Sequence, residues 1–299
     1  MAHPIDAHAA PSGWHIAGCG AMGCLAAAYL RRAGWPVTVI RDHGPARQAT
    51  TLMFPGAPDT RLDLPVVSAT ETAPIRHLLV ACKTPYTQAA LHGLNLAPDA
   101  TVLRLQNGIG SLDGLLRPGQ RCIELITASA VKRDTDGRLT VVAENTSEFG
   151  GGAPPAFWPR LARAWPGAVW QADIGPAQRA KLAVNAIINP LTALYDRPNG
   201  ALLDNADMQA EAHRLADEAD RILAALDPTW AGDALTRAMA VARATAANTS
   251  SMRADLQTGA RTEIEAINGW LVAQAGRLGL AAPAHDEIIT RIRARYSSV

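Results

Sequence analysis

With 299 residues the chain has room for two domains of ordinary size, and it needs no disulfide or metal to hold a core. Hydrophobic residues are 48% and charged residues 18%, with a net charge of +1, a balance that excludes a nucleic-acid binder and a disordered chain. Aromatics are only 5% and alanine is abundant, which favours packed helices over a β-sandwich.

Residues 1–12 contain no Lys or Arg and no apolar stretch of signal-peptide kind, and are expected to form a flexible extension. From residue 13 short apolar runs alternate with helical patterns. Strands are predicted at 14–18, 36–41, 77–82, 100–105 and 121–127, with helices at 21–33 and 85–91. Such alternation implies βαβ units, right-handed crossovers and a mostly parallel sheet. A Gly- and Pro-rich break at 150–155 precedes a short helix and a last strand near 168–171. Beyond residue 177 only Ala/Leu segments with helical spacing remain. The expected fold is therefore α/β, with a Rossmann-type mostly parallel sheet over 13–173 and an all-helical C-terminal domain over 174–299.

The longest apolar run, 182–194, is interrupted by Asn and Pro and is too short for a membrane span. Cys19, Cys24, Cys82 and Cys122 form no CxxC pair and have no His partner at zinc spacing. Three of them lie in apolar runs, so buried free thiols, a reducing cytoplasmic setting and no metal site are expected.

The first strand ends in Gly18-Cys19-Gly20-Ala21-Met22-Gly23 and runs straight into a helix. A GxGxxG string is weak evidence alone, but strand, glycine turn, helix and second strand together are the context of a dinucleotide fingerprint. Gly18 permits the tight turn, Gly20 lets the backbone approach a pyrophosphate, and Gly23 lets the helix pack close to the sheet. The helix N-terminus then holds the phosphates. At the end of the second strand, where an NAD enzyme places an acid for the ribose 2′-OH, this chain reads Ile40-Arg41-Asp42, with Arg47 further on. A guanidinium suits the 2′-phosphate of NADP, so NADPH is the expected cofactor, although Asp42 lies at the spacing of an NAD acid. Lys83 and Gln106-Asn107-Gly108 follow two further strands, and with Arg41 they are expected to line the carboxyl edge of the sheet where ligands bind.

In the helical half Lys181, Asn185 and Asn189 are spaced i, i+4, i+8 among Leu, Val and Ile. Successive members drift only about 40° around a helix, so they form one polar stripe. Buried without partners these groups would each cost a few kcal/mol, roughly, so the stripe faces solvent or a polar ligand. Pro190 is expected to kink the helix. Further on, Asn248, Ser251 and Asp255 share one face if their segment is helical, while Asn248 or Ser250 would serve equally as a cap and Glu263 as surface charge.

The stretches GCGAMG (18–23), LQNGIG (105–110), KLAVNAIINPLTAL (181–194), RPNG (197–200), NTSSMRAD (248–255) and TEIEAINGWLV (262–272) resemble the ketopantoate reductases, NADPH-dependent reductases of a 2-oxoacid in pantothenate synthesis. The resemblance implies that Lys181 is the catalytic acid and Glu263 an active-site acid beside the nicotinamide ribose. It implies that Asn185, Asn189, Asn199, Asn248 and Ser251 bind substrate, and that Asn107 touches substrate and cofactor. It also places the cofactor on Gly18, Cys19, Gly20, Ala21, Met22, Gly23, Arg41, Lys83 and Val131. The implied reaction is reduction of 2-dehydropantoate to pantoate by a monomer or homodimer whose partner is a small 2-oxoacid, with neither nucleic acid nor membrane involved. Two alternatives remain open: a paralogue reducing another branched 2-oxoacid, and a non-catalytic NADP-binding protein of the same fold. Ser251 has no GxSxG elbow that would make it a hydrolase nucleophile.

Overall fold

The computed structural model describes residues 13–134 and 136–296, so the extension expected at 1–12 lies outside the described residues. In chain order the first half forms β1 (Trp14–Ala17), α1 (Ala21–Arg32), β2 (Val37–Ile40), β3 (Arg47–Met53), β4 (Thr60–Val67) and β5 (Ile75–Val80). It continues with α2 (Thr87–Leu91), β6 (Leu96–Arg104), β7 (Arg121–Thr127), β8 (Ala130–Arg133), β9 (Leu139–Ala143), β10 (Ser147–Gly150), α3 (Trp158–Ala164) and β11 (Ala168–Gln171). The second half comprises α4 (Gly175–Tyr195), α5 (Ala206–Leu226), α6 (Ala234–Ala244), α7 (Ser251–Gln257), α8 (Trp270–Leu278) and α9 (Pro283–Tyr296).

The strands join in the order β11-β10-β7-β6-β5-β1-β2-β4-β3-β9-β8, and most neighbours are parallel. β1 pairs in parallel with both β2 and β5, so the chain reverses its direction of travel across the sheet at β1. The turn after such a strand is where open α/β sheets bind ligands. Both faces of these inner strands are covered, which is why they read as unbroken apolar runs. Ile16, Val39 and Leu79 pack with Leu25 and Leu30 of α1, while Ala17, Ile40, Leu78 and Val80 fill the opposite face.

Strands between residues 43 and 75 were not predicted. β3 and β4 form an antiparallel ribbon whose residues are mostly half-buried or exposed, and only Leu52, Leu62 and Leu64 are fully buried in it. β4 does alternate, Leu62, Leu64 and Val66 against Arg61, Asp63 and Pro65, but the internal Pro weakens it as a strand signal, while Arg, Gln and Thr leave β3 little alternation to read. β8, β9 and β10 escaped because they are only four or five residues long, and β8 has no buried residue, although β10 is mostly buried.

The described residues divide into two compact units, one of 13–82, 86–106 and 112–174, the other of 83–85, 107–111 and 175–296. In the second, α4 is the central helix: Leu182, Ala186, Ile187 and Leu191 pack with Leu215 and Ile222 of α5, Leu271 of α8 and Ile288 of α9. Glu218, buried in α5, accepts the N–H groups of Ala284 (2.9 Å) and His285 (3.1 Å) and so caps the start of α9. No helix among the described residues is long and apolar enough to cross a membrane, and no His/Cys/Asp/Glu group among them is arranged to hold a metal ion.

Candidate active site

At the end of β1 the carbonyl of Ala17 accepts N–H bonds from Ala81 (2.8 Å) and Cys82 (3.0 Å), locking β1 against β5 just before the glycine turn. Gly18 has φ +96°, and a Cβ there would strike the Cys82 backbone; one on Gly23 would strike the Gly18 carbonyl. These two glycines are therefore steric necessities that bring α1 onto the sheet. Gly20 differs, since a Cβ there would meet nothing within 4 Å. No side chain caps the first turn of α1. An open position beside uncapped N–H groups has the form a dinucleotide pyrophosphate requires. Cys19, Ala21 and Met22 are partly buried against the core beneath the turn. All four cysteines are free; only Cys24 is fully buried, and the others are half-buried.

After β2, Asp42 bonds to the turn that follows β4. Its Oδ1 accepts from the Ser68 hydroxyl (2.9 Å) and the Ala69 N–H (3.0 Å), and these bonds hold its carboxyl below the usual range. Arg41 donates from Nη1 to Gln48 (2.9 Å) and from Nη2 to the Pro45 carbonyl (3.2 Å), while its Nε is buried without a partner. Val131 lies half-buried in β8, packed on the N-terminal core.

The second unit gathers most of the charged residues singled out above. Glu263 is 7% exposed, which corrects its reading as surface charge. Its Oε2 accepts from Asn107 Nδ2 (2.8 Å) and its Oε1 from the Thr84 N–H (3.1 Å). Burial pushes the Glu263 carboxyl up; these two donors and the charge of Lys181 pull it down, and Asp255 adds to the upward push. Asp255 is itself buried and paired with Lys83, and burial again pushes its carboxyl up against the pull of that lysine. Lys83 thus meets a carboxylate of this unit. Gly108 explains how Asn107 reaches Glu263: its φ is +76°, a Cβ would collide with the Ala266 backbone, and the next N–H, of Ile109, donates to the Ala266 carbonyl at 3.1 Å. Gln106, grouped with Asn107 on sequence, instead donates to the Cys82 carbonyl (2.6 Å) and Thr87 hydroxyl (2.8 Å) in the first unit.

Along α4 Lys181 and Asn185 are half-exposed and Asn189 is buried. Asn248 does not share a helical face with Ser251 and Asp255, because α7 begins at Ser251 with Ser250 as its cap, accepting the Arg253 N–H at 3.1 Å. Asn248 and Ser251 are exposed. Asn199 is buried; its N–H donates to the Asn248 carbonyl (3.0 Å), its Nδ2 donates to Thr245 (2.9 Å), and its Oδ1 has no partner. Sequence reasoning missed the Thr84 N–H, for which no residue type is a signal, and gave Asp255 no role of its own.

Residues 14–153 match the family model for ketopantoate reductase PanE/ApbA, and residues 173–296 match the model for its C-terminal part. A 2-dehydropantoate 2-reductase of Escherichia coli O157:H7 is 30% identical over 229 residues, 74% of each chain. The chain belongs to the ketopantoate reductase family. Another relative, the 2-dehydropantoate 2-reductase of Archaeoglobus fulgidus, is 28% identical over 286 residues, covering 93% of this chain and 96% of its own. The fold recurs in the PanE/ApbA family ketopantoate reductase of Ralstonia eutropha JMP134, with TM-score 0.83, 24% identity and coverage of 96% and 99% of the two chains. It recurs outside reductases of that name in a D-mandelate dehydrogenase solved with NADH and anilino(oxo)acetate, with TM-score 0.82, 20% identity and coverage of 96% and 99%.

Proposed function

We propose that the protein reduces 2-dehydropantoate to pantoate with NADPH, a step of pantothenate synthesis in the cytoplasm. The observation that carries this reading is the cluster in the second unit: a buried Glu263 oriented by Asn107 and Thr84, under the charge of Lys181, in a chain of this family. The Gly18–Gly23 turn would hold the pyrophosphate of NADPH, which when bound would supply the hydride for C2 of the 2-oxoacid. Lys181 stabilises the negative charge that develops on the C2 oxygen and donates the proton that completes the alcohol. Glu263 holds the Asn107 carboxamide in place and carries a charge opposite to that of Lys181. Asn185, Asn189, Asn199, Asn248 and Ser251 hold the carboxylate, carbonyl and hydroxyl of the substrate.

NADP rather than NAD is supported by two side chains. The carboxylate of Asp42 already caps the turn at Ala69, and the partly exposed guanidinium of Arg41 stands beside it at the end of β2, a group suited to a 2′-phosphate. A paralogous activity is the second reading, supported by the mandelate dehydrogenase of like fold.

The two part on one hydroxyl. Ketopantoate differs from 3,3-dimethyl-2-oxobutanoate by its terminal OH, and the proposed pocket has more amides than a carboxylate and a carbonyl need. A site that bonds the OH rejects the deoxy acid by as much as about 10⁴ in kcat/KM, whereas an apolar pocket discriminates only about 10–200-fold. Oxidation of NADPH followed with both acids should give a large ratio that collapses in Asn189→Ala or Asn248→Ala. A ratio near unity moves the assignment to a paralogue.

A further inference from the structure

Pro190 leaves α4 one hydrogen-bond donor short. Its nitrogen carries no hydrogen, so the carbonyl of Ala186, four residues back, loses its helical partner. Ala186 is 0% exposed, and a buried carbonyl without a donor is costly. Even so, α4 continues through Pro190 to Tyr195. The missing bond comes from elsewhere: Nδ2 of Asn268 donates to the Ala186 carbonyl at 2.9 Å.

Asn268 is fully buried and stands in a π-helical turn, Glu265–Gly269, between Glu263 and α8. A wider turn of this kind takes residues out of the i→i−4 register and interrupts the regular face of a helix. The second hydrogen of the same amide meets Nδ1 of His285, on α9, at 3.0 Å. Burial pulls the pKa of His285 down to about 4, so the ring is neutral and its Nδ1 lone pair accepts. Both hydrogens are thereby used. Turning the amide over would set its oxygen against the Ala186 oxygen, which fixes the orientation.

We propose that Asn268 is a positioning residue: its carboxamide replaces the N–H that Pro190 lacks, and so sets the part of α4 that carries Asn185 and Asn189. The carbonyl it holds comes directly after Asn185 and three residues before Asn189, so the gap made by the proline falls between the two asparagines. An unbroken helix would satisfy Ala186 from within α4 alone. Here the bond must come from the segment that follows Glu263, so the asparagine stripe of α4 and the carboxylate are set by one contact. The catalytic consequence rests on the function proposed above; the pairing of Asn268 with Pro190 does not.

A double-substitution cycle tests it, because Pro190→Ala restores an N–H at position 190 that can reach the Ala186 carbonyl. Asn268→Ala should lower the Tm by about 3 °C or more. It should raise KM for ketopantoate by roughly tenfold or more, since small misplacements of binding groups are costly. The Kd for NADPH should change by less than about twofold, because the turn that binds it lies in the first unit. In Asn268→Ala/Pro190→Ala most of the lost Tm and KM should return. A single variant that does not fold, beside a double variant that does, is the same rescue. Additive Tm changes, failure of both variants to fold, or a lowered Tm with unchanged KM each overturn the proposal. If the parent protein does not turn over ketopantoate, the function proposed above falls, and the Tm cycle alone decides the pairing.

Discussion

Lys181 is half-exposed on α4, and burial pushes the Glu263 carboxyl up while the charge of Lys181 pulls against that push. Removing it should therefore leave cofactor binding alone and strike the chemical step. Lys181→Ala is expected to keep the NADPH Kd while lowering kcat by about 10²–10⁴. Single-turnover rates with saturating NADPH check this, and an unchanged kcat removes Lys181 from the mechanism. Arg41 is a test of the cofactor. A charge-assisted bond to a 2′-phosphate contributes roughly 1.5–3 kcal/mol, so Arg41→Ala should weaken NADPH by about tenfold to a hundredfold and NADH hardly at all. Partial exposure places the effect toward the lower end. Because Arg41 also bonds Gln48 and Pro45, equal losses for both dinucleotides would make it a residue of the loop alone. Residue identities were readable at this scale, and contacts were not. Glu263 reads as a solvated acid until Asn107 and Thr84, more than 150 positions away in the chain, are seen on its two oxygens.

Among the helices, α9 depends on groups from outside itself. Its first N–H groups go to Glu218 of α5, and His285 in its first turn is fully buried with Nδ1 against Asn268. The pKa of His285 drops from 6.5 to about 4. Between those values the unfolded chain binds a proton that the folded chain refuses. Stability should thus fall as pH drops through that window, by an amount approaching roughly 3 kcal/mol. Asp255 and Glu263, whose carboxyls are pushed up, act with the opposite sign, but they are common to the parent and to a His285 variant. Urea unfolding at neutral pH and at about pH 4.5 should show the parent losing more stability than His285→Gln, which keeps an acceptor for Asn268 and does not titrate. Equal losses would show that the ring is protonated in the fold. Element boundaries followed the strength of the pattern: α4 and the inner strands stood out as long apolar runs, whereas β3 and β4 are wet ribbons that pass for loops.

For the whole molecule, the expected mark of the cofactor is a gain in stability. A ligand that binds only the folded chain raises its stability by about 2.7 kcal/mol at a hundred times Kd. NADPH should therefore raise the Tm of the apoprotein by several degrees, and NADH at the same concentration by clearly less. Equal shifts would argue against the 2′-phosphate reading. The sequence alone determined the α/β first half, the helical second half and the glycine turn, because burial of both sheet faces and of helix stripes writes periodic apolar patterns into local stretches of chain. Sterics did the same for Gly18 and Gly23, which no other residue could replace. Only the tertiary structure decided that the loops at 83–85 and 107–111 belong with the helices, that Asp255 meets Lys83, and that Asn268 serves the carbonyl released by Pro190. Those are pairings between groups far apart in the chain, and a polar residue carries no local mark of the partner that will desolvate and satisfy it.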